Sequence, residues 1–431
     1  MQTTYSSHFL PNGIRLIFMP TRKFKTITTG LFLHQDLTAE NAAYNALLPA
    51  VLEKGCRLYP DFLTLQRELE NLYGADLDTD VIKSGEKHIL SFMLESAHDH
   101  YLGENFDLLK KGMSLLGSVV GDPLIVEEAF QADIVKQEKN QLIKDIKALL
   151  NDKTAYAVER CLSLMCAEER FGIYKLGRIE DYKNIDGANL YRYYGDLLFR
   201  NPLDLYIVGD LEEERVIDVA REIFSFQRSE DIAEIQDTEF KYSPKELKVH
   251  EESMNVNQTK LVIGFRTGTG FRDELYCPLL VYSGMLGGFP HSKLFMKVRE
   301  EAGLAYYIHT RLEQHKGLMV ISAGINYADK DKAQEIIDKQ LEDMVKGNIT
   351  DAELNNTKRG LVNQLLSRLD SPNQLISIHF DGVVGGRIYM IEELIRGIEA
   401  VVPEDIMAVA ERVKPELVYL LKPREGEVNN G

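Results

Sequence analysis

Apolar and polar positions along the chain follow two rhythms, and the order in which the rhythms appear occurs twice. Near the N-terminus, Gly13-Ile14-Arg15-Leu16-Ile17-Phe18 and the β-branched, aromatic run Thr26-Ile27-Thr28-Thr29-Gly30-Leu31-Phe32-Leu33 predict two strands. Helical spacing takes over at 39–53, with Ala43, Leu47, Ala50 and Val51 on one face. A helix at 61–72 closed by Gly74 follows, then a strand pair within 76–93. Helices are predicted at 105–116, 127–150, 156–169 and 189–199, then a strand from Leu203 to Val208 and a helix at 212–224. Residues 229–248 are rich in charge and lack a period, so they read as an exposed linker.

After the linker the order restarts. Lys260-Leu261-Val262-Ile263-Gly264-Phe265 predicts a strand, 275–285 a helix, and 292–301 a helix closed by Gly303. A strand at 318–323, helices at 331–346, 351–369 and 404–413, and a last strand at 416–421 complete the chain. Asn201-Pro202-Leu203-Asp204-Leu205-Tyr206 matches Lys414-Pro415-Glu416-Leu417-Val418-Tyr419, and Glu70-Asn71-Leu72-Tyr73-Gly74-Ala75 matches Arg299-Glu300-Glu301-Ala302-Gly303-Leu304. The shared order predicts an internal duplication: two homologous α+β domains, each a mainly antiparallel sheet covered by helices. The first repeat is expected at 1–228, the linker at 229–248 and the second repeat at 249–431.

Composition narrows the function classes. A chain of 431 residues suits two domains of roughly 200 residues each. A net charge of −17 repels phosphate backbones and anionic lipid, which argues against nucleic acid or a membrane surface as partner. No apolar run approaches the length of a bilayer span. Met1-Gln2-Thr3-Thr4-Tyr5 has neither a basic nor an apolar signal region. Cys56, Cys161, Cys166 and Cys277 are scattered and read as reduced thiols, so a cytoplasmic location is expected.

The sharpest string is Ser292-Lys293-Leu294-Phe295-Met296-Lys297-Val298-Arg299-Glu300-Glu301-Ala302-Gly303-Leu304-Ala305-Tyr306, with Asn257-Gln258-Thr259-Lys260 upstream. It resembles the S-x-L-F-x-x-V-R-E-x-x-G-L-A-Y segment of the pitrilysin/insulinase (inverted zincin) peptidases, and the chain as a whole looks like their short, two-repeat bacterial members. Catalytic members carry H-x-x-E-H on the first long helix. Two His at i and i+4 share a helical face and bind zinc, and the Glu between them is the base for the metal-bound water. Counted back from the turn Lys54-Gly55-Cys56, that motif falls on Ala46-Leu47-Leu48-Pro49-Ala50. Both His positions are Ala and the base position is Pro. The segment Glu138 to Ile146 is similar to the one that supplies the third ligand, and puts Asp145 at that position. One carboxylate does not hold zinc when both imidazoles are gone, so no metal or other cofactor is expected. Pro49 predicts a kink or a late start in the first helix.

No other site takes the motif's place. His98-Asp99-His100 is the one close His pair; it could chelate, but reads as an exposed turn. The turns Gly284-Met285-Leu286-Gly287-Gly288 and Thr267-Gly268-Thr269-Gly270 lack the spacing of phosphate or dinucleotide fingerprints. Gly382, Gly385 and Gly386 mark a tight crossing or a break.

Arg299 and Tyr306, taken alone, read as a surface ion pair and a packed aromatic. The resemblance implies more: in the family an Arg/Tyr pair at these positions faces the peptide held at the zinc of the first repeat, sometimes across a heterodimer. A pair retained where the metal site is lost implies a non-catalytic subunit that binds peptide substrate and completes the site of an H-x-x-E-H zinc peptidase partner. The alternative is a peptidase-derived peptide-binding or scaffold protein with no peptidase partner. A third, a metallopeptidase with an unrecognised site, has no motif to support it.

Overall fold

The computed structural model describes residues 4–102, 106–242 and 246–424. The chain folds into two compact units. Unit 1 comprises 1–147, 173–237 and 370–377, and unit 2 comprises 148–172, 238–369 and 378–431.

In chain order the first elements are β1 (Ser6–Phe9), β2 (Arg15–Pro20), β3 (Thr26–Asp36), α1 (Ala42–Leu52), α2 (Phe62–Asn71), β4 (Asp76–Ser84) and β5 (Lys87–Ala97). Then come α3 (Leu108–Gly121), the short β6 (Ile125–Val126) and β7 (Ala129–Phe130), α4 (Ala132–Leu149) and α5 (Lys153–Met165). Next are α6 (Gly187–Arg200), β8 (Leu203–Gly209) and α7 (Glu213–Ile223). The second series is β9 (Lys248–Met254), β10 (Thr259–Arg266), α8 (Tyr276–Ser283), β11 (Ala305–Glu313), β12 (Leu318–Ile325), α9 (Lys330–Val345), α10 (Asp351–Arg368), α11 (Pro372–Gly385), α12 (Ile391–Ala400), α13 (Pro403–Arg412) and β13 (Lys414–Pro423).

Unit 1 holds a sheet in the order β1-β2-β8-β3-β5-β4, and unit 2 one in the order β11-β12-β10-β13-β9. All pairs are antiparallel except β2 with β8 and β9 with β13. The two orders superpose element for element: β4 with β11, β5 with β12, β3 with β10, β8 with β13, β2 with β9. The parallel pair falls at the same place in each. This is the duplication expected from the sequence, in a mainly antiparallel α+β fold. Tyr206 and Tyr419, matched in sequence, are both fully buried at the same strand position.

Each sheet is buried on its helix-covered face. In unit 1, Leu31, Leu33, Leu90 and Leu205 pack against Leu47, Leu116 and Leu190 from α1, α3 and α6. In unit 2, Leu261, Ile263 and Phe265 of β10 pack against α8, α9 and α13, while Val262 faces the other way. That other face is covered by α5, whose Ala157, Val158, Cys161 and Leu162 meet Val262, Val320, Leu417 and Tyr419. Helix α5 therefore lies ahead of the linker in sequence and on the second sheet in space.

Several elements differ from the sequence expectation. The helix expected from 127 begins at Ala132, because Glu127 and Glu128 both adopt positive φ (50° and 60°) and turn β6 into β7. Strand β9 extends from the expected linker as an exposed, polar edge strand. Helices α11 and α12 were not anticipated as elements; α11 ends at Gly385, and Gly386 at φ +73° breaks the chain there.

Candidate functional site

Helix α1 is apolar almost all round and is buried accordingly. It begins at Ala42, later than the sequence pattern suggested, and runs through Pro49, whose ring leaves the Asn45 carbonyl without its helical donor. Ala46 lies in a small apolar cluster with Val81 of β4 and Leu176. Leu142 and Ile146 of α4 and Tyr174 close it from the side. The 174–176 segment is tied down by its neighbours: Lys83 Nζ donates to Ile173 O (3.0 Å), Lys175 Nζ to Val81 O (3.2 Å) and Tyr182 Oη to Leu176 O (2.6 Å). Where the resemblance would put an imidazole there is a methyl group in apolar surroundings. Pro49 is buried, and Ala50 is half-buried.

Asp145 is exposed on α4, and its carboxylate accepts from Gln141 Nε2 at 2.9 Å. Its helix neighbours Leu142 and Ile146 reach the Ala46 cluster instead. One further carboxylate was missed by the sequence reading. Glu138 is buried, 3.7 Å from Lys54 Nζ at the end of α1. Burial pushes its carboxyl above the ordinary range, against the pull of Lys54.

Next to Ala46 runs a second feature not seen in the sequence. Asn201 Nδ2 donates to Gln35 Oε1 (2.9 Å), Gln35 Nε2 to Tyr193 Oη (3.3 Å), and Tyr193 Oη to Asn45 Oδ1 (2.6 Å). Asn45 Nδ2 then meets His88 Nδ1 at 3.1 Å. The donors run in one direction, which fixes His88 as an acceptor at Nδ1. His88 thus ends a buried relay.

His98 and His100 do not form a chelate. Nδ1 of His98 accepts the backbone N–H of His100, and its Nε2 donates to Asp210 O at 2.8 Å. Among the described residues no group of three or more His, Cys, Asp or Glu side chains is disposed to hold a metal ion. Cys56, Cys161 and Cys166 are buried free thiols, and burial pushes those of Cys161 and Cys166 up to about 12.

Arg299 and Tyr306 lie in unit 2 on either side of a reversal. Arg299 belongs to the widened, π-helical turn Phe295–Glu301. Its guanidinium sits 4.6 Å from the Phe295 ring centroid, and its Nε is 3.6 Å from Glu300 Oε1. Gly303 at φ +63° turns the chain, with Leu304 N–H bonded to Val298 O at 3.0 Å. Val298, Leu304 and Ala305 are buried beneath. Strand β11 follows at the edge of its sheet, and its register slips between Ala305 and Tyr307. Tyr306 is the bulged residue, and it is 67% exposed. A bulge re-aims its side chain, so this tyrosine faces away from the packing that holds its neighbours. Unit 1 repeats the arrangement with Gly74 at φ +72° between α2 and the edge strand β4.

Fold and site together define a duplicated, metallopeptidase-like protein. The model of the "Peptidase M16 inactive domain" matches residues 184–361. The chain is 34% identical to the "Probable inactive metalloprotease YmfF" of Bacillus subtilis (strain 168), over 96% of this chain and 97% of that one. A crystal structure of a conserved protein from Enterococcus faecalis V583 superposes with a TM-score of 0.90 at 27% identity, covering 99% of this chain and all of the other. The peptidase M16 inactive domain from Pseudomonas fluorescens shares the fold, with a TM-score of 0.79 at 17% identity over 98% of both chains. The chain belongs to the M16 peptidase family. It is an inactive member of that family, in keeping with the matched inactive-domain model and with a relative named as an inactive metalloprotease. No helix among the described residues is long and apolar enough to cross a membrane.

Proposed function

We propose that this protein is the non-catalytic subunit of a heterodimeric zinc peptidase, acting in the cytoplasm with a family partner that carries H-x-x-E-H. The observation that carries this reading is the pairing of an exposed, bulged Tyr306 on an edge strand with a metal position filled by Ala46, Pro49 and Ala50. A chain that retains the substrate-facing pair and lacks the metal ligands has no chemistry to complete in itself. A peptide bound in extended form adds to a sheet edge through backbone hydrogen bonds, and β11 is such an edge. Tyr306 Oη then donates to a peptide carbonyl and Arg299 anchors the peptide by its planar fork. The test is co-purification from the native host, followed by reconstitution. The complex should contain an H-x-x-E-H chain of similar length, and the mixture should cleave unstructured peptides that this chain alone leaves intact. A chain recovered without such a partner, still binding peptides, would replace this reading with that of a peptide-binding scaffold.

A further inference from the structure

The widened turn Phe295–Glu301 and helix α9 flank an open cleft of about 1140 Å³, all of it within unit 2. Pockets for small ligands hold about 300–1,000 Å³, so this one has room for a stretch of polypeptide. Asp331, Glu335, Asp338 and Glu342 of its wall recur at helical spacing along α9 and form one stripe of carboxylates. At a rise of about 1.5 Å per residue the stripe is about 16 Å long, the length of about five residues of extended chain. Ala302 and Ile336 supply the apolar part of the wall.

Most of the charges here are already matched. Lys297 Nζ bonds Glu301 at 2.7 Å, Lys339 Nζ reaches Asp343 at 3.2 Å, and Asp331 and Glu342 are paired with Lys330 and Lys346. The side chains of Glu335 and Asp338, one turn apart, have no ion pair or hydrogen bond among the described residues. Lys332 has none either, so the unmatched set is two carboxylates against one ammonium. Partial desolvation between the walls raises the Asp338 carboxyl above its ordinary range, with no cation to oppose it. Gln340 adds a different kind of vacancy. It lines the cleft yet is only 6% exposed, and its side-chain amide makes no hydrogen bond among the described residues. Buried polar groups are normally bonded. A carboxamide offers both donors and an acceptor, which is the complement of a main-chain peptide group.

We propose that this cleft binds an extended, basic segment of polypeptide. The main chain of the segment pairs with the Gln340 amide, and a lysine or arginine side chain lies between Glu335 and Asp338. A free polycation such as spermine would satisfy the carboxylates but has no peptide group to offer Gln340. Arg299 is not part of the wall, and Lys297 and Glu301, two positions to either side of it, do not share its face. The inference is therefore independent of the peptidase-subunit reading.

The test is fluorescence anisotropy on the full chain, without a partner, using a labelled peptide of alternating alanine and arginine. Saturable binding is expected, weaker by about tenfold in Glu335→Gln and in Asp338→Asn, since a charge-assisted hydrogen bond is lost in each. Gln340→Leu should weaken the peptide by a similar factor and leave the binding of spermine unchanged. Circular dichroism confirms that each variant is folded. A peptide of alternating alanine and glutamate should not bind. Absence of binding by the wild-type chain, or binding unchanged in both carboxylate variants, would overturn the proposal. Peptide binding unchanged in Gln340→Leu, with spermine displacing the peptide, would overturn it too and make the cleft a site for free polyamines.

Discussion

Asn45 donates from Nδ2 to Nδ1 of His88 across 3.1 Å, so protonating His88 would set two N–H donors face to face. His88 is fully buried, and burial, ahead of the nearby charges of Lys83 and Lys175, pulls its pKa from 6.5 to about 3.

The consequence is a pH-dependent stability. Between about pH 3 and 6.5 the unfolded chain binds a proton at His88 that the folded chain does not. Stability from this residue is therefore fully present above 6.5 and falls as pH drops below it. Going from pH 6.5 to pH 5 should cost about 2 kcal/mol at this one residue. Urea midpoints at the two pH values measure it. In His88→Gln the difference between them should shrink by a comparable amount; an undiminished difference would assign the pH dependence to other groups.

The apolar cluster at Ala46 predicts what happens when the motif is rebuilt. Ala46→His alone pushes an imidazole against Val81 and Leu176, and overpacking of this kind costs about 1–3 kcal/mol. The triple variant Ala46→His, Pro49→Glu, Ala50→His should be less stable than wild type and hold no stoichiometric zinc by elemental analysis. The reason is that Asp145 is exposed on α4, while Leu142 and Ile146 occupy the approach. One zinc per chain, resistant to dialysis, would show that the shell around the position is intact.

Tyr306 offers a cleaner separation of function from folding. Its side chain is 67% exposed, so Tyr306→Phe should change stability by less than about 0.5 kcal/mol. In the reconstituted peptidase complex the same change should slow cleavage by about 10²–10³, the usual loss for one donor to a developing oxyanion. Arg299→Ala should also cripple cleavage without disturbing assembly. Wild-type turnover in an intact Tyr306→Phe complex would leave the tyrosine no hydrogen-bonding role.

Arg266 holds unit 2 together through charge. Its guanidinium bonds Glu169 Oε1 at 2.5 Å and Glu416 Oε2 at 2.8 Å, and Lys316 Nζ meets Glu169 at 2.7 Å, all four side chains being buried. Burial alone would raise the Glu169 carboxyl, but its bonds to Arg266 and Lys316 keep it below the ordinary range. Arg266→Ala strands buried carboxylates and should cost about 3–5 kcal/mol in urea unfolding. A loss under about 1 kcal/mol, the worth of an exposed pair, would mean that water reaches the cluster.

The central strands were legible in the sequence because they carry long apolar runs. Strands β3 and β10 are buried on both faces, so their pattern is dense and unambiguous. Strand β9 was not, since Lys248-Val249-His250-Glu251-Glu252 at a sheet edge is as polar as a linker. The Glu127–Glu128 turn was hidden for another reason. Two positive φ values normally call for Asn or Gly, and nothing local in a pair of glutamates announces them. The resemblance put the metal motif on Ala46, Pro49 and Ala50 by counting along the sequence alone. The surroundings of Ala46 could not be read, because Val81, Leu142, Tyr174 and Leu176 come from separate segments that only the tertiary fold brings together. The Asn201–Gln35–Tyr193–Asn45–His88 relay was invisible for the same reason.

The apolar cluster around Ala46 also limits which side chains that position can accept. A lone imidazole at Ala46 would bury a polar group among Val81, Leu142, Ile146 and Leu176, with no ion to repay it. A methyl group at this place can give way to a buried polar ligand only if several neighbours change with it. Substitution at Ala46 is thus confined to other small apolar residues, a constraint that the exposed ring of Tyr306 does not share.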